Sequence, residues 1–344
     1  MNLIKLLIVT SLLISLGGCK ESRVKESLLP SSSGNPGEVV LIMEKTAWEG
    51  SAGESFRNLL QEETPGLPQR EPLFNLVNIP AKAFTDLFKI HRNLIVASID
   101  PSIEEAGINV DYNRWSKPQL IITMKAPNRE SFLELYDENN QKILGLLLKA
   151  ERDRLMNNYK TYSEHALINK LEKRAGLHLD IPKGYYYAMD TNNFIWLAHE
   201  TSETSQGLFI YYYEYVDAET FSLDALINKR NEMLKKYVGG ENPGSYMSTE
   251  LQVLPNFRSF KLNGTYTAEL RGLWKVEGDF MGGPFISISQ LDESKNRVVT
   301  VEGFVYAPKY NKRNYVRQLE AILYSLKLNV PEQKKTQHAE TDAN

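Results

Sequence analysis

The chain of 344 residues contains a single cysteine, Cys19. It can therefore form no intramolecular disulfide, which excludes the cross-linked scaffolds typical of small secreted domains. The length is sufficient for a sizeable hydrophobic core, and an apolar share of 42% is ordinary for a globular protein. We expect side-chain packing alone to stabilise the fold.

Excess charge of either sign is also missing. The chain has 40 Lys and Arg against 43 Asp and Glu, a formal net charge of -3. A nucleic-acid-binding domain needs a clustered basic surface. The composition therefore predicts no nucleic-acid partner.

Signatures of catalysis and metal binding are absent from the sequence. No Gly-x-Ser-x-Gly elbow and no phosphate-binding glycine motif is present. A glycosidase needs two carboxylates at a defined separation, which the sequence does not give for Asp217 and Glu219 or for Glu277 and Asp279. We predict no catalytic residue, no metal and no cofactor. The histidines lack metal-ligand spacing: His91, His165, His178, His199 and His338.

The amino-terminal apolar run is too short to span a membrane. It covers residues 6–16, whereas a spanning helix needs roughly 20 apolar residues. The run ends in Leu16-Gly17-Gly18-Cys19, which resembles a bacterial lipobox. The resemblance implies a signal peptide over 1–18, cleavage between Gly18 and Cys19, and acylation of Cys19, with palmitate as a usual acyl group. An ordinary signal peptide with an incidental cysteine remains the alternative.

Two or three acyl chains on Cys19 would anchor the protein stably to a membrane. The next residue, Lys20, is not the aspartate that retains some lipoproteins at the inner membrane. This resemblance favours the outer membrane, with the protein facing the periplasm. Lys20-Glu21 begins like a surface-export signal, but Ser22-Arg23 departs from it, so surface exposure stays open.

Polar segments flank the globular part of the chain. Residues 19–37 are rich in Ser, Pro and Gly and are predicted to form a flexible tether, and residues 331–344 a disordered tail. Between them, helix and strand patterns mix without strict alternation, which predicts the α+β class. We expect two half-domains, 38–160 and 161–330, each a largely antiparallel sheet covered by amphipathic helices.

Periodicity predicts the individual elements. The Asn263-Gly264 pair is a strong hairpin signal. In the predicted helix 222–238, Arg230 lies on the same face as the apolar residues. Strands are predicted at 38–43, 74–79, 93–99, 119–124, 185–189, 194–199 and 208–216. Helices are predicted at 48–61, 128–159 with a candidate interruption at 137–140, 161–176 opened by a capping box, 222–238 and 311–328.

The segment 272–285 is the most unusual in composition and is the candidate functional loop. Its glycines could bring backbone amides close to an anion. The alternative is a sharp reversal in which Gly282, Gly283 and Pro284 adopt unusual dihedral angles. The candidate residues are Gly272, Trp274, Asp279, Met281, Gly282, Gly283 and Pro284.

Two further groups of residues have competing interpretations. The tyrosine runs 185–187 and 211–213 could expose a row of rings to a sugar or a protein partner, or could simply favour strands. The basic residues at the start of the last helix are expected to be solvated, with contact to anionic lipid as the alternative: Lys309, Lys312, Arg313 and Arg317.

Several motifs resemble those of an uncharacterised lipoprotein family of Bacteroidota, a domain of unknown function. They include Arg271 to Trp274, Met281 to Phe285, Glu302 to Pro308 and Arg317 to Glu320, together with the lipobox. The resemblance covers nearly the whole mature chain and implies no activity.

A topology-level resemblance links residues 161–330 to the photosystem II protein P and Mog domains. It depends on Ile181 to Tyr185 and on the closing Ile322 to Leu326. Members of that fold are mostly binding or assembly proteins, although a shared fold is a poor guide to function.

These observations favour a membrane-anchored envelope lipoprotein that is a non-catalytic binding or assembly module. Its expected partners are the membrane, through the amino-terminal lipid, and an envelope protein or glycan. The alternatives are an envelope hydrolase acting on a glycan or peptide through carboxylates, and a structural envelope component.

Overall fold

The computed structural model describes residues 28–328 of the chain. The predicted signal peptide, the lipidation site Cys19 and the predicted tail 331–344 lie outside the described residues. The described chain divides into two compact units. The first comprises residues 28–62 and 72–151, and the second comprises 63–71 and 152–328.

The first unit contains an α/β arrangement. Its strands are β1 (Glu38–Ile42), β2 (Asn75–Ile79), β3 (Asn93–Ile99), β4 (Gly107–Tyr112) and β5 (Leu120–Ala126). Its shorter helices are α1 (Lys45–Trp48), α2 (Ser51–Leu60), a 3-10 turn (Ala81–Ala83) and α3 (Asp86–Lys89). A long helix, α4 (Arg129–Thr161), follows β5 and contains the division between the units.

The sheet of the first unit has the order β2-β1-β3-β5-β4. Three of its four pairings are parallel, and β4 alone runs antiparallel, to β5. Parallel strands covered on both faces carry continuous apolar runs, and residues 39–42 of β1 are all buried. The α+β class is confirmed, but this sheet is mainly parallel where the sequence predicted an antiparallel one.

The predicted interruption of the long helix at 137–140 does not occur. The Asn128 side chain accepts a hydrogen bond from the Ser131 N–H at 3.0 Å, as expected of a cap. Asn139 and Asn140 donate their side-chain amides to backbone carbonyls of the same helix, at 2.8 and 3.2 Å. These amides find partners within the helix, so the polar cluster continues it.

Residues 31–37 belong to the first unit, so the predicted flexible tether needs correction over this stretch. Ser33 forms a parallel bridge with His91. The backbone N–H of the buried Gly37 donates to Glu151 Oε2 at 2.9 Å. Partners more than 50 residues away order the segment, and composition alone does not reveal them.

The second unit is built around a large antiparallel sheet. Its strands are β6 (Leu177–His178), β7 (Tyr186–Asp190), β8 (Phe194–Glu200), β9 (Ser205–Glu214), β10 (Tyr246–Thr249), β11 (Asn256–Leu262), β12 (Thr265–Glu277), β13 (Gly282–Asp292), β14 (Arg297–Tyr306) and β15 (Lys327–Leu328). The spatial order of the sheet is β10-β12-β13-β14-β9-β8-β7, and β11 also pairs with β12. Strands β6 and β15 form a separate pair. The helices are α5 (His165–Ala175), α6 (Leu223–Tyr237) and α7 (Arg313–Leu323).

Alternate residues of this sheet pack against helices on opposite faces. On β14, Val299 and Val301 join the core formed with α5 and α7. Val298 and Phe304 join the core formed with α6. The period of two along each strand therefore creates two cores in one unit. The aliphatic core lies under α5 and α7, and the aromatic core lies under α6.

Within the second unit, turn and cap signals are confirmed in two places and wrong in one. The hairpin at Asn263 and Gly264 joins β11 to β12, with φ of 52° and 85°. Gly176 ends α5 with φ of 71°. The predicted capping box at 161–164 is wrong. Thr161 is the last residue of α4 and donates its hydroxyl to Asn157 O at 2.9 Å, and the Glu164 N–H donates to Ile181 O at 2.9 Å instead of to Thr161.

Of the basic group that the sequence predicted to be solvated, Lys309 is exposed, but the residues at the start of α7 are buried. Lys312 and Arg313 are 5% and 6% exposed. Their backbone N–H groups donate to the two carboxylate oxygens of Glu71, at 2.6 and 3.0 Å. A carboxylate from the 63–71 segment thus caps the positive end of the helix dipole.

Among the described residues, no helix has the length and apolar character needed to cross a membrane.

Candidate ligand-binding site

The candidate loop forms the turn between β12 and β13. Gly278 has φ of 84°, and the backbone N–H of Val276 donates to Met281 O at 2.9 Å. Gly282 and Gly283 lie in β13 and pair with Lys275 and Trp274. The unusual dihedral predicted for 282–284 therefore lies at Gly278, and the tight reversal is four residues earlier.

Gly283 is needed for close packing. A Cβ atom there would lie 2.1 Å from the carbonyl oxygen of Val305 and 3.0 Å from Nε1 of Trp274. With no side chain in the way, the Trp274 indole donates from Nε1 to Val305 O at 3.2 Å. The glycine thus positions the tryptophan against β14.

Trp274 and Met281 line a cavity of about 360 Å³ on the α6 side of the sheet. Its walls are largely aromatic and aliphatic, as is usual for small-molecule sites. Strands β8, β9, β10, β12 and β14, the β12–β13 turn and the segment after α6 all contribute. The lining residues are Trp196, Glu200, Ser205, Val238, Gly239, Gly240, Glu241, Met247, Trp274, Val276, Met281, Phe304 and Tyr306. We call it the aromatic cavity.

Four rings of the aromatic cavity are inclined to one another. Trp274 meets Phe304 at 81° with ring centroids 5.7 Å apart, and Tyr306 at 53° and 6.2 Å. Trp196 meets Phe304 at 62° and 6.2 Å. Edge-to-face contacts of this kind are favourable between rings, so the walls are held in place before any ligand binds.

Few polar groups border the aromatic cavity. Glu200 accepts a hydrogen bond from the Tyr186 hydroxyl at 2.8 Å, and this bond raises the pKa of Tyr186. The indole N–H of Trp196 is buried and has no hydrogen-bond partner among the described residues. A buried donor without a partner is uncommon, but Nε1 is itself inaccessible to solvent, so a molecule in the cavity does not reach it.

A buried ion pair holds helix α6 on the sheet, and the residues directly after this helix form one wall of the cavity. Arg230 on α6 donates from Nε and Nη2 to the Glu302 carboxylate on β14, at 2.9 and 2.7 Å. Its third group, Nη1, donates to the Thr249 hydroxyl at 2.8 Å. Both charged side chains are 0% exposed. The pair therefore anchors α6, whose following residues 238–241 line the cavity.

The structure brings together only part of the predicted site. Trp274 and Met281 line the cavity, and Gly283 supports Trp274. The remaining candidates, Gly272, Asp279, Gly282 and Pro284, are not among the lining residues.

Each of these four residues has a structural setting of its own. A Cβ on Gly272 would lie 2.9 Å from the Phe285 ring. Asp279 accepts from the Phe280 N–H at 2.6 Å and shapes the turn, at whose tip Phe280 is 100% exposed. Gly282 and Pro284 are strand residues of β13.

Sequence reasoning missed most of the aromatic walls. Trp196, Phe304 and Tyr306 come from β8 and β14, up to 110 residues apart along the chain. The sequence does indicate that Phe304 and Tyr306 share one face of β14, because they are two residues apart in a strand. Nothing in the sequence indicated that Trp274 shares that face.

The tyrosine runs do not form a continuous exposed row. Tyr185 and Tyr211 are only 8% and 2% exposed, whereas Tyr186 is 46% exposed. The Tyr212 hydroxyl donates to Asn192 O at 2.7 Å. These contacts favour the interpretation of the runs as strand formers.

The carboxylate pairs considered for catalysis also have structural contacts. Asp217 caps a 3-10 turn by accepting from the Glu219 N–H at 2.9 Å. Glu277 pairs with Lys275 at 3.1 Å. Within residues 28–328 no group of three or more His, Cys, Asp or Glu side chains is arranged to hold a metal ion.

Comparisons with known proteins return families without an assigned activity. Residues 164–325 match a family model described as Domain of unknown function (DUF4837), and residues 32–160 match one described as Domain of unknown function (DUF8532). These matches support the expectation of an uncharacterised family. A search of curated proteins found no match.

Among solved structures, a crystal structure from Bacteroides thetaiotaomicron VPI-5482 aligns with 47% of this chain, at 10% identity and a TM-score of 0.21. The alignment covers 48% of that chain, so this protein spans about half the length of the structure it matches. The likeness to the photosystem II protein P and Mog domains stays a prediction.

Proposed function

We propose that the protein is a lipid-anchored, non-catalytic binding module of the bacterial envelope that holds a small amphipathic ligand in the aromatic cavity. The observation that carries the proposal is the cavity itself, with preformed aromatic walls around about 360 Å³. Cavities of roughly 300–1,000 Å³ with mostly apolar walls and few polar groups are typical of ligand sites.

Occupancy of the cavity is tested with N-phenyl-1-naphthylamine, a neutral dye whose fluorescence rises in apolar surroundings. Ser205 lines the cavity, so Ser205→Trp should fill it and abolish the fluorescence gain. The exposed Ser202 provides the matched control, and Ser202→Trp should bind the dye like the wild type. Equal binding by both variants, with unchanged melting temperatures, would refute a ligand site in the cavity.

The anchor is tested at Cys19. We expect Cys19→Ala to move the protein from the membrane fraction to the soluble fraction, because two or more acyl chains are what hold such proteins stably. The wild type should be labelled by a palmitate analogue. A membrane-bound Cys19→Ala variant, or an unlabelled wild type, would exclude lipidation at this residue.

The side of the membrane is tested by protease treatment of intact cells. We expect the protein to be protected, in keeping with an outer-membrane lipoprotein that faces the periplasm. Digestion in intact cells would instead place it on the surface.

A further inference from the structure

The charges that border the aromatic cavity are all of one sign. Glu200 and Glu241 contribute carboxylates, and none of the described residues that line the cavity is Lys, Arg or His. Both glutamates are exposed, so each carboxylate contributes only a modest attraction, and together they favour a cation over an anion at the border of the cavity.

The ring walls reinforce this preference. The faces of Trp, Tyr and Phe carry negative quadrupole density and attract cations, with Trp the strongest. Trp196, Trp274, Phe304 and Tyr306 border one cavity, and neighbouring ring centroids lie 5.7 to 6.2 Å apart. Trp274 and Phe304 are only 3% and 6% exposed, so the half-buried Trp196 and Tyr306 are the rings that a bound ammonium group can contact most fully.

A compact alkali or alkaline-earth ion fits this site poorly. Such ions take shells of oxygen ligands, whereas aliphatic side chains such as Met247, Val276 and Met281 supply much of the remaining wall. A cation that carries its own methyl groups can contact both the rings and these aliphatic groups.

We propose that the aromatic cavity binds a small organic monocation, an alkylated ammonium compound. The inference rests on the proposed function and names the ligand class of that site. The ammonium group contacts the rings, and the two carboxylates lie at the exposed border of the cavity.

The test compares choline with 3,3-dimethyl-1-butanol, which has the same shape with carbon in place of nitrogen and no charge. Binding is followed by isothermal titration on the full folded chain. We expect choline to bind at least tenfold more tightly than the alcohol. The double variant Glu200→Gln/Glu241→Gln should weaken choline binding at least tenfold and change binding of the alcohol less than twofold. Glu232→Gln, an exposed carboxylate on α6 that does not line the cavity, is the charge-matched control and should change neither.

A free ammonium compound is distinguished from a lipid headgroup by glycerophosphocholine, which carries the same cation on a phosphodiester. We expect it to bind more weakly than choline, because its phosphate would lie near the carboxylates. Tighter binding of glycerophosphocholine would overturn the assignment to a free compound.

Equal or tighter binding of the alcohol would overturn the cation preference and leave the cavity as a ligand site. If the dye binds but neither choline nor the alcohol does, the cation preference is likewise overturned and the cavity remains a ligand site. If Ser205→Trp and Ser202→Trp bind the dye equally, the proposed function itself is refuted. The two failures are therefore distinguishable.

Discussion

The buried ion pair between Arg230 and Glu302 allows a stringent test of how α6 is held on the sheet. Both side chains are 0% exposed, and two hydrogen bonds join them. The guanidinium also lies 3.7 Å from the centroid of the Phe285 ring. The substitution Arg230→Met keeps most of the side-chain volume, removes the charge and leaves the Glu302 carboxylate buried without its partner.

Removing one partner of a buried pair costs about 3–5 kcal/mol, because the remaining charge is desolvated without compensation. Replacing both charges by apolar residues of similar volume is often neutral or stabilising. We therefore expect Arg230→Met to lower the free energy of unfolding by about 3–5 kcal/mol. The double variant Arg230→Met/Glu302→Met should recover most of that loss.

The same variant predicts a pH dependence. Burial raises the pKa of Glu302, and Arg230 opposes that rise. Without Arg230 the folded-state pKa rises further above the unfolded value, so the folded state takes up a proton that the unfolded state does not hold. Stability of Arg230→Met should therefore increase as the pH falls from about 7 towards 5, and decrease as the pH rises through the folded-state pKa.

Urea denaturation followed by circular dichroism at pH 7 and pH 5 measures both effects. The control is Lys229→Met, the adjacent residue on α6, whose partner Glu232 is exposed. A surface pair of this kind contributes about 0–1 kcal/mol. If Arg230→Met costs no more than Lys229→Met, or if the double variant is as unstable as the single one, the argument from an uncompensated buried charge is refuted.

Two other predictions concern the core of the second unit. Gly283→Ala should lower stability by about 1–3 kcal/mol through overpacking, since its Cβ would lie 2.1 Å from Val305 O. Thermal melts check this against Gly107→Ala, where a Cβ meets nothing within 4 Å, and equal melting temperatures would contradict it. Burial raises the pKa of Glu269, but the neighbouring arginines, Arg271 foremost, outweigh it and hold that pKa at about 2. Its contribution to stability is therefore present above the unfolded value of about 4.5 and is lost as the pH falls towards 2, so acid titration of Glu269→Gln should show a flatter loss of stability between these values than the wild type does.

Local signals in the sequence predicted many individual elements well. The apolar run of β1, the cap at Asn128, the stop at Gly176 and the Asn263-Gly264 hairpin depend on neighbouring residues only, and all are present in the structure. Helix α6 was predicted with Arg230 on its apolar face, and the structure explains that position by the pair with Glu302.

Signals that depend on distant partners were misleading or weak. Strand β4 was not predicted, because it lies at the edge of its sheet and its residues are only half-buried. The polar segment 31–37 looked like a tether, yet backbone bonds to residues far along the chain order it. The basic start of α7 was expected in solvent, but the carboxylate of Glu71 lies against it.

By itself, the sequence determined the class of the fold, the positions of most helices and strands, and an expectation of lipid attachment at Cys19. These properties follow from periodicity, turn residues and short motifs, which act over a few neighbouring positions. The tertiary structure decided the strand order of the sheets and the site. The aromatic cavity exists because strands separated by up to 110 residues pair in one sheet, and register then places Trp196, Trp274 and Phe304 on the same face.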